Sequence, residues 1–219
     1  MASRGADVVC LQEVTATTLP RWREALGDMT VCCLLPERRR LAVLLAGRGL
    51  DEAPVPEVGR PESVRAGRRD GLLVLGAHVP NAANGAVKVQ TLRALADHLA
   101  AQSGPRVLCG DLNTPRKEHA DGTVWTFARD GRGRLRPERG AAWEAAERAP
   151  WGVLDDAFRR LHAPGDGAIS WGWRRWKGGY RLDHVLVSGD VAVERCEYRH
   201  SWREDGLSDH SAMECELSA

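Results

Sequence analysis

Short apolar runs alternate with polar, glycine- and proline-rich stretches along this chain, and their lengths and periods predict a mixed α/β domain. Asp7 to Leu11, Leu41 to Ala46, Leu72 to Val79 and Arg106 to Cys109 read as buried strands, too short and continuous for amphipathic helices. Within Val87 to Gln102, Val89, Leu92, Leu95, Ala96 and Leu99 recur at helical spacing, and Ser103-Gly104-Pro105 supplies a stop.

A shorter helix is predicted beyond Thr15-Ala16-Thr17-Thr18, where a threonine can cap the first turn, Pro20 can sit inside it, and Trp22, Ala25 and Leu26 share one face. Ala141 to Arg148 and Gly152 to Leu161 read as further helices. Arg181 to Ser188 and Val191 to Tyr198 read as strands joined at Gly189-Asp190, and a final strand runs through Leu217. Gly47 to Asp70 has little periodicity and is expected to form a surface excursion or part of a substrate rim; Thr114 to Gly140 is expected to be a long loop.

With 219 residues, no repeat and no interdomain linker, one domain spanning residues 1–219 is expected, with enough chain to bury a large core. The formal charge of +1 sets up no global field that would advertise a polyanionic partner, although a local basic face remains compatible with it. The six cysteines lack paired metal spacing, and most lie in or beside apolar runs, so buried reduced thiols are expected. No apolar stretch approaches the ~20 residues that span a bilayer and no charged-then-apolar leader opens the chain, which predicts a cytoplasmic protein.

Three polar clusters sit where predicted strands end or begin: Leu11-Gln12-Glu13, Gly110-Asp111-Leu112-Asn113 and Ser208-Asp209-His210. Glu13 is a hard oxygen donor suited to Mg²⁺ or Mn²⁺, or simply an exposed loop glutamate. Asp111 and Asn113 alternate across Leu112, so in extended chain both face one way; an Asx turn closing the strand is the alternative. A protonated His210 would donate a charge-assisted bond to a phosphate oxygen, whereas a lone Asp-His pair is more often a surface cap. Trp171 to Lys177 holds three tryptophans and three cations, a pattern that can stack bases and hold phosphates or can close the core under a loop.

The order and wording of these clusters resemble the endonuclease/exonuclease/phosphatase superfamily, which carries Leu-Gln-Glu, Gly-Asp-x-Asn and a C-terminal Ser-Asp-His. Tyr180-Arg181-Leu182-Asp183-His184 resembles its Arg-Leu/Ile-Asp-Tyr/His strand, and Ala77-His78-Val79-Pro80-Asn81 resembles the strand end bearing its Tyr or His. The resemblance runs from about Ala6 to Leu217 and implies a four-layer α-β-β-α sandwich, two packed sheets flanked by helices. The family's opening strand, ending in Thr/Ser-Trp-Asn, is expected to be absent.

The resemblance also implies roles. Glu13 is the principal metal ligand, for Mg²⁺ or Mn²⁺, and Asp209 a carboxylate near the metal or a second metal. Asp111 prepares the attacking water, Asn113 fixes the water or a phosphate oxygen, and Asp183 orients His210. His78 donates to the scissile phosphate, unless it is a satisfied core histidine. Trp171, Trp173 and Tyr180 line a substrate pocket. His98, His119, His162 and His200 stay outside the site, and His184, on the opposite side of its strand from Asp183, is expected to be packed or solvent-facing. The implied activity is hydrolysis of phosphodiesters in nucleic acid. The alternatives are a phosphoinositide or other small phosphoester as substrate, and a non-catalytic relative that binds phosphate-rich ligands.

Overall fold

The apolar runs become two facing layers of strands in the computed structural model, which describes residues 5–37, 41–166, 168–172 and 178–219. In chain order the first half runs β1 (Val8–Val14), α1 (Leu19–Leu26), β2 (Thr30–Cys33), β3 (Ala42–Gly47), β4 (Asp51–Glu52), β5 (Val64–Arg69), β6 (Leu72–His78) and α2 (Ala86–Ala100). The second half continues with β7 (Arg106–Asp111), β8 (Lys117–Glu118), β9 (Val124–Trp125), α3 (Gly140–Arg148), β10 (Asp155–Asp156) and α4 (Ala157–Leu161). It ends with β11 (Trp171–Gly172), β12 (Gly179–Tyr180), β13 (Asp183–Val187), β14 (Ala192–Arg199), α5 (Ser201–Glu204) and β15 (Ala212–Ser218).

One layer is a six-stranded sheet ordered β10-β13-β7-β6-β5-β4; the other consists of β1-β3-β2 and the separate pair β14-β15. Alternation along each strand sorts the side chains into three apolar clusters. Leu73, Leu75 and Ala77 of β6 and Leu108 of β7 pack with Leu92, Leu95 and Leu99 of α2 on the outer face of the large sheet. Leu44 and Ala46 of β3 pack with Leu19 and Leu26 of α1 on the outer face of the other layer. Leu45, Val74, Val107, Val187 and Cys196 fill the space between the layers. Helix, sheet, sheet and helix therefore stack as the resemblance implied.

Among the described residues β1 pairs only with β3, and β15 only with β14. β1 packs over β6 and β7 while β15 packs over β13. The register partners Cys109 and Val185 between these layers are partly exposed, although their neighbours Leu108 and Leu186 are fully buried. This corrects one expectation: all six cysteines are free thiols, but only Cys32 and Cys196 are buried, while Cys10, Cys109 and Cys215 pack partly exposed against the inter-sheet cluster.

Other expectations are also corrected. Residues 64–69, placed in a surface excursion, form β5, paired along its length with β6. Its arginines hid the strand; Arg65 is nonetheless buried and donates to the Pro61 carbonyl at 2.6 Å. The loop after Asn113 contains the β8-β9 hairpin. The helix expected from Gly152 begins only at Ala157, because Asp155 and Asp156 pair with β13 and Asp156 then caps α4 through the Arg159 amide at 3.2 Å.

Candidate active site

The polar clusters meet at one end of the inter-sheet layer. Parallel pairing of β6 with β7 sets His78 opposite Asp111, and antiparallel pairing of β7 with β13 sets Asp183 opposite Asp111. All three continue the inward-facing series of their strands, following Val74 and Gly76, Val107 and Cys109, or preceding Val185 and Val187. Three adjacent strands thus present His78, Asp111 and Asp183 as one row, with His78 Nε2 3.6 Å from Asp111 Oδ2. Gly110 permits this closeness, since a Cβ there would lie 2.1 Å from the Ala77 carbonyl oxygen and 3.0 Å from Gln12 Nε2.

Asp111 and Asn113 act as one unit. The chain turns at Asn113 (φ 52°) immediately after Leu112 enters the core. The Asn113 amide nitrogen donates to Asp111 Oδ1 at 2.8 Å; its side-chain Nδ2 donates to Asp111 Oδ2 at 3.0 Å and to the Val79 carbonyl at 2.8 Å. The Asx turn and the shared facing of the two side chains, alternatives at the sequence level, are both present. Burial, reinforced by the charge of Asp183, pushes the Asp111 carboxyl up to about 8.

His210 Nδ1 lies 2.7 Å from Asp183 Oδ2, which leaves Nε2 as the ring's other donor. Burial disfavours the imidazolium, but the Asp183 hydrogen bond and the charges of Asp183, Asp111 and Asp209 outweigh it and raise the ring to about 9. A histidine raised in this way stabilises the fold fully below its unfolded value of ~6.5, and that contribution is lost as pH rises through about 9. In metal-free protein, NMR of the ring should therefore show titration near 9, and Asp183→Asn should bring it back towards the ordinary range and flatten the loss of melting temperature between pH 6.5 and 9. An unmoved His210 titration in the variant would separate the two residues. His78, by contrast, is held below the ordinary range by burial, so its neutral form is favoured.

β1 breaks register between Leu11 and Val14, and Glu13 takes the left-handed conformation (φ 59°) there, which turns its carboxylate to solvent. Glu13 and Asn113 are two of the three non-glycine residues with positive φ among the described residues, and such strain gathers at functional sites. The Glu13 carboxylate makes no hydrogen bond or ion pair with another described residue, yet its charge acts on His78. Among the described residues no three His, Cys, Asp or Glu side chains cluster closely enough to cage a metal ion. Open carboxylates such as Glu13 and Asp209 nevertheless fit Mg²⁺, which binds one or two carboxylates and otherwise keeps water or phosphate oxygens.

Trp171 and Tyr180, facing each other across β11-β12, stack with centroids 5.8 Å apart and planes 7° apart, and Phe127 meets Tyr180 edge-on at 5.4 Å. Trp171 Nε1 donates to Asp209 Oδ2 at 3.3 Å, and its backbone bridges to His210, so this aromatic wall adjoins the row. Trp173 lies outside the described residues, as do Arg174 to Lys177. On the other side of the row, His78 borders a cavity of 190 Å³ also lined by Arg60, Glu62 and Ser63.

Sequence reasoning missed the supports behind the row. The hydroxyl of buried Ser170 accepts from the Leu182 and Asp183 amides at 2.8 and 3.1 Å, and its carbonyl accepts from the Ser211 amide at 2.7 Å, joining the strands that carry Asp183 and His210. Tyr198 donates to the Asp183 carbonyl at 2.6 Å. Behind the sheet, buried Arg181 pairs with Glu118 and, at 2.6 Å, with Asp156, while His184 is packed between Asp156 (3.3 Å) and the Thr114 carbonyl (2.8 Å). Burial opposes ionisation of Asp156, but His184 and Arg181 hold its carboxyl well below the usual range.

The Endonuclease/Exonuclease/phosphatase family profile matches residues 1–210, and the chain belongs to this family. No curated protein sequence matches it. Among solved structures, the 3'-5' exonuclease NExo from Neisseria meningitidis shares the fold with a TM-score of 0.76 and 18% identity over 99% of this chain and 91% of that one. The 3' phosphatase NExo from Neisseria bound to product DNA hairpin gives 0.72 and 17% over 99% and 91%; an AP endonuclease from Archaeoglobus fulgidus gives 0.71 and 18% over 97% and 89%. Among the described residues no helix is long and apolar enough to cross a membrane.

Proposed function

We propose that this protein is a metal-dependent phosphodiesterase that acts on DNA by in-line attack of water on a phosphate. The observation that carries the reading is the single cross-strand row of His78, Asp111 and Asp183 with His210 bound to Asp183 at 2.7 Å. Asp111, with its raised proton affinity, accepts the proton that the attacking water loses, and Asn113 fixes the carboxylate's orientation. His210, kept protonated by Asp183, donates to a non-bridging or leaving oxygen, and neutral His78 donates to the same phosphate. Glu13, together with Asp209, would hold Mg²⁺ or Mn²⁺, which when bound supplies Lewis-acid neutralisation of phosphate charge.

The aromatic wall of Trp171, Tyr180 and Phe127 beside this row favours nucleic acid over a small phosphoester, and one structural neighbour, the Neisseria 3' phosphatase, is bound to a DNA hairpin. The test compares abasic and nicked duplex DNA with bis(4-nitrophenyl) phosphate, in Mg²⁺ and in EDTA. Hydrolysis of DNA only with metal present is expected. Trp171→Ala should raise KM for DNA about tenfold or more, the scale of one lost base stack, while leaving KM for the small diester within about twofold. Hydrolysis of the small ester with no activity on DNA would redirect the substrate; equal loss on both substrates with a lowered Tm would make Trp171 a packing residue.

A further inference from the structure

One fully buried lysine has no role in the reading above. Lys88 lies on the inward stripe of α2, in series with Thr91, Leu92, Leu95 and Leu99, where an apolar residue would serve packing better. Its ammonium pairs with Glu147 of α3, itself fully buried, donates to the Asn113 backbone carbonyl at 2.8 Å, and sits 4.6 Å from the centroid of the Phe127 ring. The second carboxylate oxygen of Glu147 accepts from the Ala128 amide at 3.0 Å. One buried cation therefore touches the peptide that carries Asn113 and the ring that abuts Tyr180, the two walls of the candidate site.

We infer that Lys88, neutralised by Glu147, is a positioning residue that holds the Asp111–Asn113 pair and the Phe127 side of the aromatic wall in register. The inference rests on the function proposed for that pair. A left-handed asparagine is intrinsically disfavoured, and the bond from Lys88 to its carbonyl fixes the peptide in that state. The Asn113 side chain, so placed, engages Asp111 Oδ2 and the Val79 carbonyl. Methionine at position 88 could fill the volume but would leave the Asn113 carbonyl and the Glu147 carboxylate buried without this donor. An effect limited to packing would change stability; positioning would change turnover even when stability is restored.

The experiment uses the full chain with Lys88→Met, Lys88→Arg and the double variant Lys88→Met/Glu147→Leu, which removes both buried charges. Steady-state kinetics on bis(4-nitrophenyl) phosphate, melting temperature, and the ¹⁵N signal of the Asn113 side-chain amide in metal-free protein are measured. Expected are a kcat at least tenfold lower in Lys88→Met with KM within about twofold, a displaced Asn113 amide signal, and partial rescue of kcat in Lys88→Arg. The double variant should recover melting temperature but not kcat; should the single variant fail to fold, the double variant carries the test. Recovery of kcat together with melting temperature in the double variant overturns the inference. So does an unchanged Asn113 amide in a folded variant. If the unmodified protein hydrolyses no phosphodiester, the functional reading fails on its own, and the amide signal still decides whether Lys88 positions Asn113.

Discussion

Alanine at His210 is expected to lower phosphodiester turnover by at least ~100-fold, alanine at Asp183 by a similar factor, and both together by little more than either alone. The 2.7 Å contact makes one imidazolium the product of two residues, so removing either leaves the same deficit. Asp183 also touches the chemistry by a second route, because its charge helps to raise the Asp111 carboxyl. Asp183→Asn is therefore the informative companion: it preserves the shape of the site while withdrawing the charge from both neighbours. Single- and double-variant turnover, measured at saturating metal and at several pH values, checks the cycle. Losses that multiply would mean that Asp183 and His210 serve separate functions, and the row would need a different division of labour.

The row itself was legible in the sequence because of where its members stand. Asp111 and His78 each close a short apolar run that reads as a strand interior, and Glu13 follows another, so a polar side chain there emerges at the rim of a buried layer. Their meeting was not derivable from any one strand. It depends on β7 lying between β6 and β13, a pairing order that local pattern does not specify; the family resemblance supplied only the shared roles of these residues. β5 escaped notice because Arg65, Arg68 and Arg69 obscure its alternation, although pairing with β6 satisfies its backbone. Ser170 and Glu147 look like ordinary loop and helix residues; their importance comes from partners 12 or more positions away. Lys88 did carry a signal. It falls three and four residues before Thr91 and Leu92, on the stripe that packs against the sheet, and a charge on such a stripe demands a buried partner.

Replacing Glu13 with glutamine should abolish metal-stimulated hydrolysis, a loss of at least ~100-fold at any Mg²⁺ concentration that saturates the unmodified protein, while moving Tm little. The two halves of that expectation have separate causes. The carboxylate is exposed and forms no hydrogen bond or ion pair with another described residue, so the fold loses no contact with it, and exposed substitutions of this kind usually stay within ~0.5 kcal/mol. The left-handed backbone at position 13 is unchanged by the swap, so the bulge that aims the side chain persists. What changes is charge: a neutral amide is a poor partner for a hard divalent cation, and among the described residues no cluster of three His, Cys, Asp or Glu side chains is close enough to cage the ion in its place. Asp209→Asn should cost less, since Asp209 is also engaged by Trp171 and joins His210 electrostatically. Turnover against Mg²⁺ and Mn²⁺ concentration, with Tm recorded in EDTA, measures both halves together. Undiminished metal-stimulated turnover would remove Glu13 from the site, and a collapse of Tm without metal would show instead that its carboxylate serves the fold.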